Sequence, residues 1–186
     1  MDRGVRKLRI FNCDDDYLVF LRIMQVAQER FETTIHAYCL MSNHFHILLG
    51  TNEIETWQFM HYLDSCYANY YNHRHGYTGH LFESRYKGFL VKDAPYFLQT
   101  SRYIHLNPVK AGMVDRPEEY PWSSYRTLIG LGDDGITEVK TTLKYFGKDP
   151  ADSYRQYVEA VGHRYHKEDE AVQETIGEKE LWVPPQ

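Results

Sequence analysis

Cysteine is scarce in this chain: three in 186 residues, Cys13, Cys39 and Cys66, with no CxxC spacing. That pattern excludes a disulfide framework and a zinc knuckle, so the three read as reduced thiols. No run approaches the ~20 apolar residues that span a bilayer, and Met1 to Ile10 lacks the apolar stretch of a signal peptide. The expectation is a soluble, cytoplasmic protein with no membrane partner. Positive charge is also short. A net charge of -5 argues, taken alone, against a polyanionic partner, which needs a concentrated positive field.

The average hides an asymmetry. Residues 150–186 hold eight acids against four bases, whereas Tyr71 to Arg116 holds seven bases (Arg74, Arg85, Lys87, Lys92, Arg102, Lys110, Arg116) against three acids. The same segment is interleaved with Tyr71, Tyr77, Phe82, Tyr86, Phe89, Tyr96, Phe97 and Tyr103. Cations track a phosphate backbone and aromatic faces stack on unpaired bases, a mixture suited to single strands rather than duplex. A core that packs its tyrosines and leaves the bases solvated gives the same composition.

Hydrophobic periodicity predicts a helix over about Asp15 to Arg30, capped by Asp14, with Tyr17, Leu21, Met24, Ala27 and Phe31 inward. Thr33 to Met41 and His44 to Gly50 read as a hairpin turning at Ser42 and Asn43. Asn52 with Glu55 marks a helix through about Tyr71, its stripe including Phe59, Leu63, Cys66 and Tyr70. Leu81 to Val91 reads as a strand. Asp93 caps a further helix, with Pro95 in its first turn, that should end near Asn107 because Pro108 disfavours a helical residue before it. Val109 to Gly135 reads as turns and short pieces. The order gives an α+β fold, an antiparallel sheet carrying helices. Residues 1–130 form the main domain, and 131–186 an acidic helical extension with a mobile tail.

Residues two apart on a strand share a face, so His44 and His46 project together while Phe45 and Ile47 point into apolar packing. A pair of imidazoles on one face can bind a divalent metal; two surface histidines give the same pattern. Rivals are His73, His75 and His80, and His163 with His166. On the later helix Tyr103 and Asn107 lie four apart and share a face. Periodicity does not select Tyr103 among 16 tyrosines.

Three stretches do: HAYCLMSNHFHILL (His36 to Leu49), GHLFESRYKGFLV (Gly79 to Val91) and SRYIHLNPVKAGMV (Ser101 to Val114). Together, in this order, they closely resemble the REP-associated tyrosine transposases, relatives of the single-strand insertion-sequence transposases. The resemblance runs from about Arg3 to Tyr125. It implies a ferredoxin-like sheet, a divalent ion (Mg²⁺ or Mn²⁺) on His44, His46 and Asn107, and Tyr103 as nucleophile. It also implies metal-dependent nicking and strand transfer on single-stranded DNA or hairpins of palindromic repeats, by a monomer or a homodimer. Arg85, Tyr86, Lys87 and Arg102, in the basic aromatic segment, are the DNA-binding candidates.

One departure stands out. Relatives carry a strand reading like YHVTNRG before the first helix, and here Asp2-Arg3-Gly4 stands at its end. The expectation is a sheet lacking its first strand. The gap would be filled by recruiting Val5 to Phe11, by a strand from a partner chain, or by closing up with His44 and His46 displaced. A hairpin-binding protein that no longer cuts therefore stands as the alternative function, and an unrelated metal-dependent hydrolase as a third.

Overall fold

The computed structural model describes residues 1–52 and 54–160. Among them no helix is long and apolar enough to cross a membrane. A short strand β1 (Asp2–Arg3) leads through a 3-10 turn at Val5–Lys7 to helix α1 (Asp14–Phe31). The hairpin β2 (Thr34–Met41) and β3 (His44–Gly50) follows, then helices α2 (Thr56–His75) and α3 (Ala94–Lys110). Three shorter helices, α4 (Tyr125–Leu128), α5 (Lys140–Leu143) and α6 (Pro150–Glu159), complete the described chain. The result is an α+β fold on a three-stranded antiparallel sheet ordered β1-β3-β2.

The first strand is therefore present, against expectation. Asp2 pairs with Phe45 and Arg3 with His44. None of the three anticipated ways of filling the gap applies. The free edge of β1 is satisfied by residues 81–87: Val5 N–H donates to the Leu81 carbonyl, Glu83 N–H to Arg3, and Lys87 N–H to Met1, each at 2.9 Å. Five residues from Glu83 to Lys87 oppose three from Met1 to Arg3, so this stretch bulges. It forms an isolated bridge at Phe82 and not the strand expected over Leu81 to Val91. Gly4 makes the turn that follows possible by close approach, since a Cβ there would lie 2.3 Å from the Leu8 carbonyl oxygen. Val5 to Phe11 does not pair as a strand. It delivers Ile10 and Phe11 into the core, their N–H groups donating to the Ser42 carbonyl.

The sheet's two faces are covered separately. Tyr38, Leu40 and Phe45 pack with Phe20 and Met24 of α1 and Phe59, Leu63 and Tyr67 of α2. Ala37, Cys39, Met41 and Leu48 pack with Phe97 and Ile104 of α3. The α2 stripe sits one residue from expectation, with Phe59, Met60, Leu63, Tyr67 and Tyr71 buried. Two tyrosines can go inward because the Tyr67 hydroxyl donates to the Ile10 carbonyl and Tyr71 to Arg9. Helix starts shift too. Cys13, not Asp14, is the N-cap of α1, and the Asp16 carboxylate accepts the N–H of Asn12 at 2.8 Å and of Cys13 at 3.3 Å. Glu55, not Asn52, caps α2, with Gln58 reaching back to it.

α3 is the helix that matters for chemistry. The Asp93 side chain accepts the Tyr96 N–H at 2.8 Å. The helix then runs past Asn107 and through Pro108 to Lys110. Pro108 leaves the Ile104 carbonyl without its usual donor, and the Asn107 side-chain amide approaches that carbonyl at 3.4 Å and the Tyr103 carbonyl at 2.7 Å. Local substitution of donors explains why the helix outruns its proline.

α3 is also pinned from behind. His105, fully buried, hydrogen-bonds Tyr154 of α6 through Nδ1 and Ser124 through Nε2, both at 2.8 Å. Ser124 in turn donates to and accepts from the backbone of Tyr38 on β2. Burial pushes the His105 imidazole down to about 3, so it is neutral in the fold. A depressed histidine gives stability that is full above its unfolded value and is lost as pH falls toward the folded one. At pH 5 the loss is about 2 kcal/mol for a group that titrates near 6.5 when unfolded. Urea unfolding of the parent and of His105→Gln should therefore converge by about that amount between pH 7 and pH 5. A pH-independent gap between them contradicts the assignment.

The acidic tail beyond residue 160, including His163 and His166, lies outside the described residues.

Candidate active site

Strand pleat and helix turn meet at one place. His44 and His46 leave the same face of β3 and point toward α3, where Tyr103 and Asn107 stand one turn apart. All four line a single cavity of about 570 Å³ between the strand and the helix. The two imidazole rings have centroids 5.0 Å apart, and the Tyr103 ring is 5.7 Å from that of His46, edge to face. Lys87 and Val91 line it too, so residues from all three sequence motifs are brought together by the fold.

Each side chain is held in a defined state. Burial pushes His44 down to about 4, helped by the Arg3 charge, and drives His46 well below the ordinary histidine range. Both rings are neutral at pH 7 and carry a lone pair. His44 Nδ1 lies 2.7 Å from the Asn43 side-chain oxygen, which makes Nδ1 the protonated nitrogen and leaves Nε2 as the donor atom. Asn43 is oriented in its turn by donating to the Lys7 carbonyl at 3.2 Å. In Asn107 the amide nitrogen is engaged with helix carbonyls, so its oxygen is turned outward. Two neutral imidazoles and an amide oxygen make a mixed set that suits a borderline divalent ion such as Mn²⁺, and Mg²⁺ less well. Among the described residues no group of three or more His, Cys, Asp or Glu side chains is placed to hold a metal, so Asn107 would be needed as the third donor.

Tyr103 is half-buried, with the Lys110 ammonium 4.7 Å from its ring centroid. Arg3 and Lys87 line the same cavity. Of the other DNA-binding candidates, Arg85 and Tyr86 line a separate groove against α2, with Trp57, His61 and Asn69. Asp2 and Asp64 also face that groove, and burial pushes both carboxyls up. Arg102 is turned elsewhere: its guanidinium stacks 4.8 Å above the Tyr157 ring of α6. Among the described residues the rival histidines do not assemble. His75 pairs with the buried Asp16 at 3.0 Å, while His73 and His80 are exposed.

Asn43, Arg3 and Lys110 were not among the residues singled out from sequence. Asn43 carried a signal, since it directly precedes His44, but its turn chemistry was the more obvious reading. Lys110 lies seven residues, two helical turns, after Tyr103 and shares its face.

Comparison with known proteins gives a family and a fold. The family model described as "Transposase IS200 like" matches residues 6–107, a segment containing His44, His46, Tyr103 and Asn107. No curated protein sequence matches the chain. A solved structure, "Structure of the REP associates tyrosine transposase bound to a REP hairpin", shares the fold. Its TM-score is 0.58 at 15% identity, over 74% of this chain and 82% of that one. With the family model covering more than half of its length, the chain belongs to the IS200-like transposase family.

Proposed function

We propose that this protein nicks and rejoins single-stranded DNA at structured repeats through a covalent phosphotyrosine link. The observation that carries the reading is the convergence of His44 and His46 from β3 with Tyr103 and Asn107 from α3 on one cavity. The protein whose fold this chain shares is bound to a REP hairpin, and hairpins of palindromic repeats are the substrates proposed here.

The chain's own residues do the following. Arg3 and Lys87 attract the phosphate backbone into the cavity. Tyr103 Oη attacks the phosphorus, the phenol giving up its proton, as the bond to the 3′ oxygen breaks and that oxygen takes a proton. A 5′-phosphotyrosine and a free 3′-hydroxyl result. Lys110 places positive charge beside the ring from which the attack comes. A Mg²⁺ or Mn²⁺ ion held by His44, His46 and Asn107 would supply charge neutralisation on the phosphoryl oxygens. The phosphotyrosine keeps the energy of the broken bond, so rejoining to a second 3′-hydroxyl needs no ATP.

The alternative of a hairpin binder that does not cut drew its support from a gap beside β3. β1 occupies that place.

Binding to a hairpin with an unpaired flank should weaken steadily with salt. Lys87→Glu should cost about tenfold in affinity at low salt and reduce the salt slope by about 1. Arg102→Glu should cost less, because that guanidinium is already stacked on Tyr157. Gel-shift titrations at several salt concentrations, with Mn²⁺-dependent nicking scored on the same probes, test the reading. A preference for perfect duplex, or no nicking by the parent chain, defeats it.

A further inference from the structure

The catalytic cavity does not end at Tyr103. It extends along β3 to Thr51, and Thr51 also lines a second cavity of about 520 Å³ at the far end of the strand. Thr51 lies five positions after His46, about 17 Å at ~3.4 Å per strand residue, so the two cavities lie within reach of one short strand of nucleic acid.

The floor of the second cavity is His36. This side chain is 8% exposed, and its Nδ1 is buried with no hydrogen-bond partner. The nearest carboxylate oxygen, on Glu138, is 3.6 Å away, too far for a hydrogen bond. Nothing larger than glycine fits easily beside the ring: a Cβ at Gly50 would lie 3.0 Å from His36 Nε2. A neutral imidazole, kept so by its burial, offers one donor and one acceptor. Glu138 is fixed by the N–H groups of Lys140 and Thr141, at 2.8 and 3.0 Å, and presents its remaining lone pairs. Phe97 meets the His36 ring edge-on at 5.2 Å. The rim carries Lys92, Lys144 and Tyr145, the last 44% exposed, together with the Asp93 carboxylate, which accepts the Tyr96 N–H.

A floor of donors and acceptors, an apolar wall and two rim lysines match the three parts of a nucleotide: base edge, base face and phosphate. The volume lies in the range of small-ligand pockets, roughly 300 to 1,000 Å³. We propose that this second cavity holds an unpaired nucleotide of the strand whose phosphodiester enters the catalytic cavity. Its base edge meets His36 and Glu138, and its backbone meets Lys92 and Lys144. The inference rests on the single-strand reading of the catalytic cavity. It adds a site that reads a base beside the cleavage point.

The test uses the full chain and two probes, a hairpin with an unpaired flank and the same hairpin without one. In the flank, the fluorescent base 2-aminopurine replaces one position at a time. The expected result is a fluorescence change confined to one flank position. The doubly substituted chain Lys92→Glu, Lys144→Glu, changed only at exposed residues, should lose about tenfold in affinity for the flanked probe and bind the flankless probe as the parent does. His36→Gln should alter which base is preferred at that one position. Equal losses on both probes, no loss on either, or fluorescence changes spread along the flank overturn the second cavity. Covalent attachment to Tyr103 is scored in the same samples. An intact adduct with flank-independent binding counts against the second cavity alone, whereas failure to bind either probe brings down the catalytic reading with it.

Discussion

Tyr103→Phe should abolish covalent attachment of DNA, a fall of at least about 10³-fold in strand cleavage, as expected when a nucleophile is removed outright. Hairpin affinity should stay within about twofold, because binding rests on the cationic and stacking groups that the substitution spares. Phenylalanine keeps the ring against His46 and keeps the face over which the Lys110 ammonium sits. Only Oη is lost, and no other atom of that ring can form a phosphoester. Single-turnover cleavage of a labelled hairpin with Mn²⁺ reads the effect. Tyr96 lines the same cavity and is the natural rival, but burial pushes its hydroxyl up, which makes it the poorer nucleophile. Undiminished cleavage by Tyr103→Phe would transfer the role to another side chain, Tyr96 first.

His46→Ala should remove Mn²⁺-stimulated cleavage, by about 10²-fold or more, with His44→Ala close behind. Both rings are neutral and share a face with their centroids 5.0 Å apart, so deleting either one leaves a site with two protein donors. His46 is also buried, and His46→Gln serves as a second variant that fills more of the space. Asn43→Ala should act more mildly, about 10- to 100-fold in metal affinity, because it frees the His44 ring to turn without removing a donor. Titrating Mn²⁺ against cleavage separates the cases: the Asn43 variant should recover at high metal and the His46 variant should not. Unchanged Mn²⁺ stimulation in both histidine variants points to a metal elsewhere and contradicts the assignment.

The candidate site was readable where local periodicity decides geometry. A two-residue strand period put His44 and His46 on one face, and a four-residue helical spacing put Tyr103 and Asn107 on another. Only the three motifs taken together suggested that the two faces meet. What stayed hidden depends on partners far away in sequence. Asp2–Arg3 is too short to show alternation, and it becomes a strand because β3 pairs with one edge and residues 81–87 with the other. Leu81 to Val91 has the apolar and aromatic content of a strand, but its bulge against Met1 to Arg3 breaks the ladder. Helical spacing alone puts Cys66 and Tyr70 on the α2 stripe in place of Tyr67 and Tyr71, and the carbonyls of Ile10 and Arg9 that receive those two hydroxyls lie some sixty residues upstream. Arg102 lies in the basic segment by composition, yet the Tyr157 ring, 55 residues on, decides where it points.

The central claim is that Tyr103 becomes joined to DNA, and mapping the joined residue addresses it most directly. The full chain is incubated with Mn²⁺ and a hairpin carrying an unpaired flank, digested with a protease and a nuclease, and the nucleotide-bearing peptide sequenced by mass spectrometry. The prediction is one phosphotyrosine, on Tyr103, formed with Mn²⁺ and absent when the metal is chelated. An adduct on any other residue, or none under conditions in which the hairpin is nicked, contradicts it.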